Sequence, residues 1–148
     1  MIPAQQALVW TPALAVGVPE LDDQHREIFA RVDLLVAAMA GGEASEEVGR
    51  LLSFLGDYVT QHFAGEEKYM TDADFPGYPG HKAEHDGFIA TLRVMTKTFE
   101  AEGSSPRLAM DVRRQSLSWL TEHISRADVA MARWIDQARA DSDSGASR

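Results

Sequence analysis

Apolar side chains recur at spacings of three and four along four stretches of the chain, the period of a helix that buries one face. Over 19–40 the stripe is Leu21, Ile28, Phe29, Val32, Leu35 and Val36. Pro19 suits a first helical position, and Gly41-Gly42 suit the end. Over 45–71 it is Leu51, Leu52, Leu55, Tyr58, Val59, Phe63 and Met70, with Ser45 as the expected N-cap. Over 79–101 the spacing turns Phe88, Ile89, Leu92, Val94 and Met95 inward. A fourth segment, 106–138, carries Leu108, Val112, Leu117, Leu120, Ile124, Met131 and Ile135, and Ser105 and Pro106 are placed to cap and open it. No run alternates apolar and polar residues as a half-buried strand does. Short connections force neighbouring helices to be antiparallel. The predicted fold is all-α, an up-down-up-down antiparallel four-helix bundle. Residues 1–18, interrupted by Pro3 and Pro12, are expected to form an extended N-terminal arm anchored by Trp10. The small, polar tail 139–148 is expected to be disordered. Residues 1–148 read as a single domain without internal repeats.

Composition narrows the chemistry. Hydrophobic residues make up 45% and charged residues 25% of the 148, the balance of a globular domain. Fourteen basic against 23 acidic residues leave a net charge of −9, which disfavours a nucleic-acid partner. Cysteine is absent, which excludes disulfides, thiolate zinc sites and iron–sulfur clusters. Any metal must be held by nitrogen and oxygen. No apolar run approaches the roughly 18 residues of a membrane span, and no basic n-region opens the chain, so the cytoplasm is the expected location.

All five histidines, His25, His62, His81, His85 and His123, fall on the apolar stripes. One such histidine is most simply a hydrogen-bonded core residue. Five together are harder to explain without a metal, because each unmet buried ring nitrogen costs about 1–3 kcal/mol. His62 and Glu66 are four apart and share a helix face, as do His81 and His85. Such pairs are common on solvated helices. His123 and Asp128 are five apart, which on an ideal helix separates them by about 140°. Asp128 alone therefore reads as a surface residue, and both can face inward only through a π-bulge or a break. Trp119 and Trp134 read as core packing. Gln24 and Glu84 are expected to point to solvent, and Glu67 and Lys68 to lie off the ligand face. The imidazole N–H groups are expected to find backbone carbonyls one turn earlier.

The order His25, His62-x-x-x-Glu66, His81-x-x-x-His85, His123-x-x-x-x-Asp128 resembles the hemerythrin signature, in particular that of stand-alone bacterial members. Trp10 in the arm and the flanking words VGVPELDDQH, HFAGEEKYM and WLTEHISRAD agree with it, over about residues 10–135. The resemblance implies a non-haem di-iron centre with an oxo or hydroxo bridge. It implies that His81, His85 and His123 ligate one iron, that His25 and His62 ligate the other, and that Glu66 and Asp128 bridge them. Counting ligands then gives six on the first iron and five on the second. Dioxygen is expected to bind reversibly at the open position, as a peroxide, with no side-chain acid or base required.

The implied function is oxygen storage, delivery or sensing. The alternative is a di-iron redox enzyme acting on peroxide or nitric oxide. The chain lacks the Glu-x-x-His pairs of carboxylate-rich di-iron enzymes, and the expected pocket neighbours Phe29, Phe63, Leu120 and Ile124 are apolar. Both favour binding over turnover. A monomer is expected, with dioxygen as the partner and no protein partner specified by the sequence.

Overall fold

Proline opens and glycine closes several of the helices. A computed structural model describes residues 10–146, with side chains described through Ser142. Helix α1 is Pro19–Ala40, α2 is Ser45–Asp72 and α3 is Tyr78–Glu102. The fourth helix of the bundle has three parts: α4, Pro106–His123, a π-helical segment, Ile124–Asp128, and α5, Val129–Ala146. Gly42, at φ 71°, takes the left-handed conformation that ends α1. Ser105 Oγ accepts the Leu108 N–H at 3.0 Å, so the expected cap is formed. At α2 the cap position is Ala44, and Ser45 lies inside the helix. There Glu46 and Glu47, in the first turn, complement the exposed N–H groups electrostatically.

The four helices pack as the expected bundle, with two apolar clusters along its axis. The larger includes Phe29, Val32, Leu35, Leu55, Val59, Phe88, Val112 and Leu120. The smaller is Val18, Leu21, Met70, Met131, Ala132 and Ile135. A fully buried Leu, Ile or Phe contributes about 1.5–3 kcal/mol, so these layers dominate the stability. The five histidines lie in the register between them. On α1, His25 follows Leu21 of one cluster and precedes Ile28 and Phe29 of the other.

Some expectations fail locally. Val94 is 64% exposed, because it sits between Leu92 and Met95 on the wrong side of the stripe. Trp134 is 40% exposed and donates its indole N–H to the Ala73 carbonyl at 2.7 Å, clipping the α2–α3 connection rather than filling the core. Within the arm, Pro12–Leu14 forms a 3₁₀ turn where extended chain is expected, and residues 1–9 lie outside the described residues. Trp10 does pack on the core, beneath the Arg26 guanidinium at 4.1 Å. Asp22 ties the arm down by accepting the Val16 N–H at 2.8 Å. The last helix runs on to Ala146, into the stretch expected to be disordered. A helix already nucleated adds residues cheaply, and Gln137 bonds Asp141 one turn on at 3.0 Å.

Candidate metal centre

Each helix of the bundle delivers at least one side chain to a single buried layer. His25 comes from α1, His62 and Glu66 from α2, His81 and His85 from α3, and His123 from the end of α4. Asp128 ends the π segment. A π turn bonds residue i to i+5 and so brings positions five apart toward one face, which is how His123 and Asp128 both point inward. All seven side chains are buried.

The two carboxylates divide the imidazoles between their oxygens. Glu66 Oε2 lies 3.3 Å from His25 Nε2 and 2.9 Å from His62 Nε2. Its Oε1 lies 3.3 Å from His81 Nε2 and 3.0 Å from His85 Nε2. Asp128 Oδ2 lies 3.1 Å from His25 Nε2, and its Oδ1 lies 3.0 Å from His81 Nε2 and 3.1 Å from His123 Nε2. Two donor pockets result, sharing both carboxylates: Glu66, His81, His85, His123 and Asp128 in one, His25, His62, Glu66 and Asp128 in the other, each with its donor atoms within 4.8 Å of one another.

Several of these close approaches are not hydrogen bonds. His85 Nε2, His123 Nε2 and both Asp128 oxygens are buried without a hydrogen-bond partner. Lone pairs aimed at a common point, rather than N–H groups aimed at oxygens, are what a cation needs, and the donor set suits a borderline or hard divalent ion. Charge follows the same logic. Burial alone disfavours a charged imidazole, yet the Asp128 carboxylate at 3.0–3.1 Å and the hydrogen bonds to Glu66 raise His25 and His81 to about 9. Burial and the Glu66 charge push Asp128 up, but His123, His25 and His81 hold it at about 2. Glu66 is likewise kept well below the usual range despite burial, chiefly by the charge of His62. Both carboxylates are therefore ionised and ready to ligate.

The family model of the hemerythrin HHE cation binding domain matches residues 16–135. The chain belongs to the hemerythrin family. The bacteriohemerythrin of Methylococcus capsulatus is 35% identical over 122 residues, covering 82% of this chain and 91% of that protein. That of Stenotrophomonas maltophilia is 32% identical over 133 residues, covering 90% and 82%. A crystal structure of wild-type hemerythrin superposes with a TM-score of 0.78 at 31% identity, over 88% of this chain and 98% of that one.

This hemerythrin-family chain also uses residues that sequence reasoning places elsewhere. The His62 Nδ1–H donates to Gln24 Oε1 at 2.6 Å, His85 to Glu67 Oε2 at 2.9 Å, and His123 to Glu84 Oε1 at 2.9 Å. Side chains, not backbone carbonyls, are thus the partners of three rings, and Gln24, Glu67 and Glu84 are not simply solvated. Nδ1 of His25 and of His81 has no hydrogen-bond partner among the described residues. Glu84 also accepts from Arg126 at 2.7 Å, and Arg126 from the π segment bonds Glu122 at 2.8 Å. The Glu84 carboxyl stays below its ordinary range because the hydrogen bonds from His123 and Arg126 outweigh burial. Trp119 is half-buried and lies flat on His123, with centroids 4.3 Å apart and planes at 13°, so it packs on the centre itself. A polar residue one position from a ligand was the available signal for all three partners. Each serves a ring on another helix, so its role is invisible along its own.

Proposed function

We propose that this chain is a non-haem di-iron protein that binds dioxygen reversibly, for storage, delivery or sensing. In this reading His25, His62, Glu66, His81, His85, His123 and Asp128 are its complete protein ligand set. The partition of five Nε2 atoms between the paired oxygens of Glu66 and Asp128 carries the proposal. Held by those seven side chains, two ferrous ions would supply the two electrons needed to bind dioxygen and would take them back on its release. The chain's own contribution is positional and electrostatic. Glu66 and Asp128 offer one oxygen to each pocket and neutralise part of the charge buried there. Five neutral imidazole donors leave the reduced state accessible. Phe29, Phe63, Leu120 and Ile124 are buried in the larger apolar cluster, where Phe63 stacks on His85, and such apolar packing keeps water and protons away. Asp22 and Ser116 are the other buried polar side chains among the described residues, and Asp22 is engaged by Val16. No spare acid is thus evident for cleaving an O–O bond.

No described helix is long and apolar enough to cross a membrane. The test is metal analysis with a visible spectrum taken through cycles of oxygen and argon. Two irons per chain, with a charge-transfer band that appears on oxygenation and vanishes on its removal, are expected. One iron or fewer overturns the di-iron centre. Irreversible oxidation at first exposure, or sustained turnover of peroxide or nitric oxide with a reductant, replaces the binding reading with the enzyme.

A further inference from the structure

We propose that the two metal positions are unequal and fill in order, the His81–His85–His123 position first, and that Glu67 and Glu84 are the positioning residues behind this order. The inference rests on the di-iron reading above and concerns how each pocket is built.

Two of the three rings in the first pocket are backed by carboxylates, His85 by Glu67 and His123 by Glu84, both at 2.9 Å. An anionic acceptor on Nδ1–H fixes the tautomer that leaves Nε2 bare and makes that nitrogen the stronger donor. The same two rings are clamped on their faces. Phe63 stacks on His85 with centroids 3.8 Å apart and planes at 3°, and Trp119 covers His123. Glu84 is itself held by Arg126 at 2.7 Å. This pocket is therefore set in its binding geometry before metal arrives.

The second pocket is built differently. His62 is backed by the neutral amide of Gln24, and His25 Nδ1 has no hydrogen-bond partner among the described residues. Its rings meet edge-on, 4.8 Å apart at 75°, and among the described residues neither is stacked face to face with an aromatic side chain. In one pocket two of the three rings thus have anionic backing and stacked faces, and only His81 lacks them. The other has neither, and one fewer imidazole.

The experiment is a titration of the metal-free full-length protein with Zn²⁺ alone, which is redox-inert and accepts nitrogen and oxygen donors. Calorimetry resolves the steps, and nitrogen NMR of the imidazoles assigns them. Two steps are expected, the tighter perturbing His81, His85 and His123, the weaker His25 and His62. Glu67→Gln and Glu84→Gln keep a hydrogen-bond acceptor and the shape, and each should weaken the tighter step roughly tenfold while sparing the other. Gln24→Glu should tighten the weaker step instead. Equal affinities, reversed order, or glutamine variants that move both steps together overturn the proposal and leave the di-iron reading standing. Uptake of fewer than two Zn²⁺ overturns both.

Discussion

Asp128 turns one oxygen to His25 and the other to His81 and His123, at 3.0–3.1 Å. Asp128→Asn keeps the side-chain volume but replaces one of those oxygens with an amide group that cannot ligate. Metal content should fall from two ions per chain to one or fewer, with helicity by circular dichroism unchanged. Retention of both ions would remove Asp128 from the ligand set. The same contacts set a pH dependence in the metal-free protein. His25 and His81 are raised to about 9 when folded, against an ordinary value of 6.5. Their contribution to stability is full below about pH 6.5 and is lost as pH rises through about 9. Asp128, held at about 2, contributes above its unfolded value near 4, and that part is lost as pH falls through about 2. The melting temperature of the metal-free form should therefore decline across pH 6.5 to 9. Because ligating imidazoles must be neutral, metal uptake at pH 7 should release protons, one each from His25 and His81 and a further share from His123, which Asp128 and Glu84 also raise against the effect of burial. Calorimetry in buffers of different ionisation enthalpy measures this, and uptake without proton release contradicts it.

At the scale of elements, the π segment is the feature that helix arithmetic anticipates most directly. A spacing of five is unworkable on an α-helix, and Ile124–Asp128 is the local remedy. Deleting Ala127 restores an α-helical spacing on paper and should remove the bulge. The deletion leaves Met131 and Ile135 on their packing face, because one residue fewer cancels the bulge. The variant is expected to keep its helical signal but lose metal binding, because the Asp128 carboxylate no longer projects from the wide π turn between the two pockets. Two tightly held metals in that variant would show that the bulge is incidental. Element ends were legible where a residue acts on its own neighbours: Pro19, Gly42, Ser105 and Pro106 do so. They were misread where composition stood in for position. Val94 is apolar but falls between stripe positions, and Trp134 is large but lies over a loop.

In the whole molecule, the centre is a layer of ionisable groups between two apolar clusters, and its charges hold one another in place until a metal takes over. Loading should raise the melting temperature in a concentration-dependent way, by about 2.7 kcal/mol of stability at a hundredfold excess over the dissociation constant. A chelator should reverse the gain, and an unchanged melt on loading would mean that the folded state does not hold the metal preferentially. The primary sequence alone determined the helix stripes, the bundle and the five histidines on buried faces, because periodicity and spacing act within one helix and state which side chains share a face, whereas Glu66 and Asp128 were singled out by the resemblance to hemerythrin. It also foretold the π segment, since the mismatch between His123 and Asp128 is a property of one helix. It did not determine which oxygen of Glu66 or Asp128 serves which ring, or that Gln24, Glu67 and Glu84 stand behind His62, His85 and His123. Those contacts join residues 18 to 39 positions apart on different helices. Only the rotation and register of packed helices decide them, because a residue flanking the buried stripe meets solvent or a neighbour according to what lies beside it.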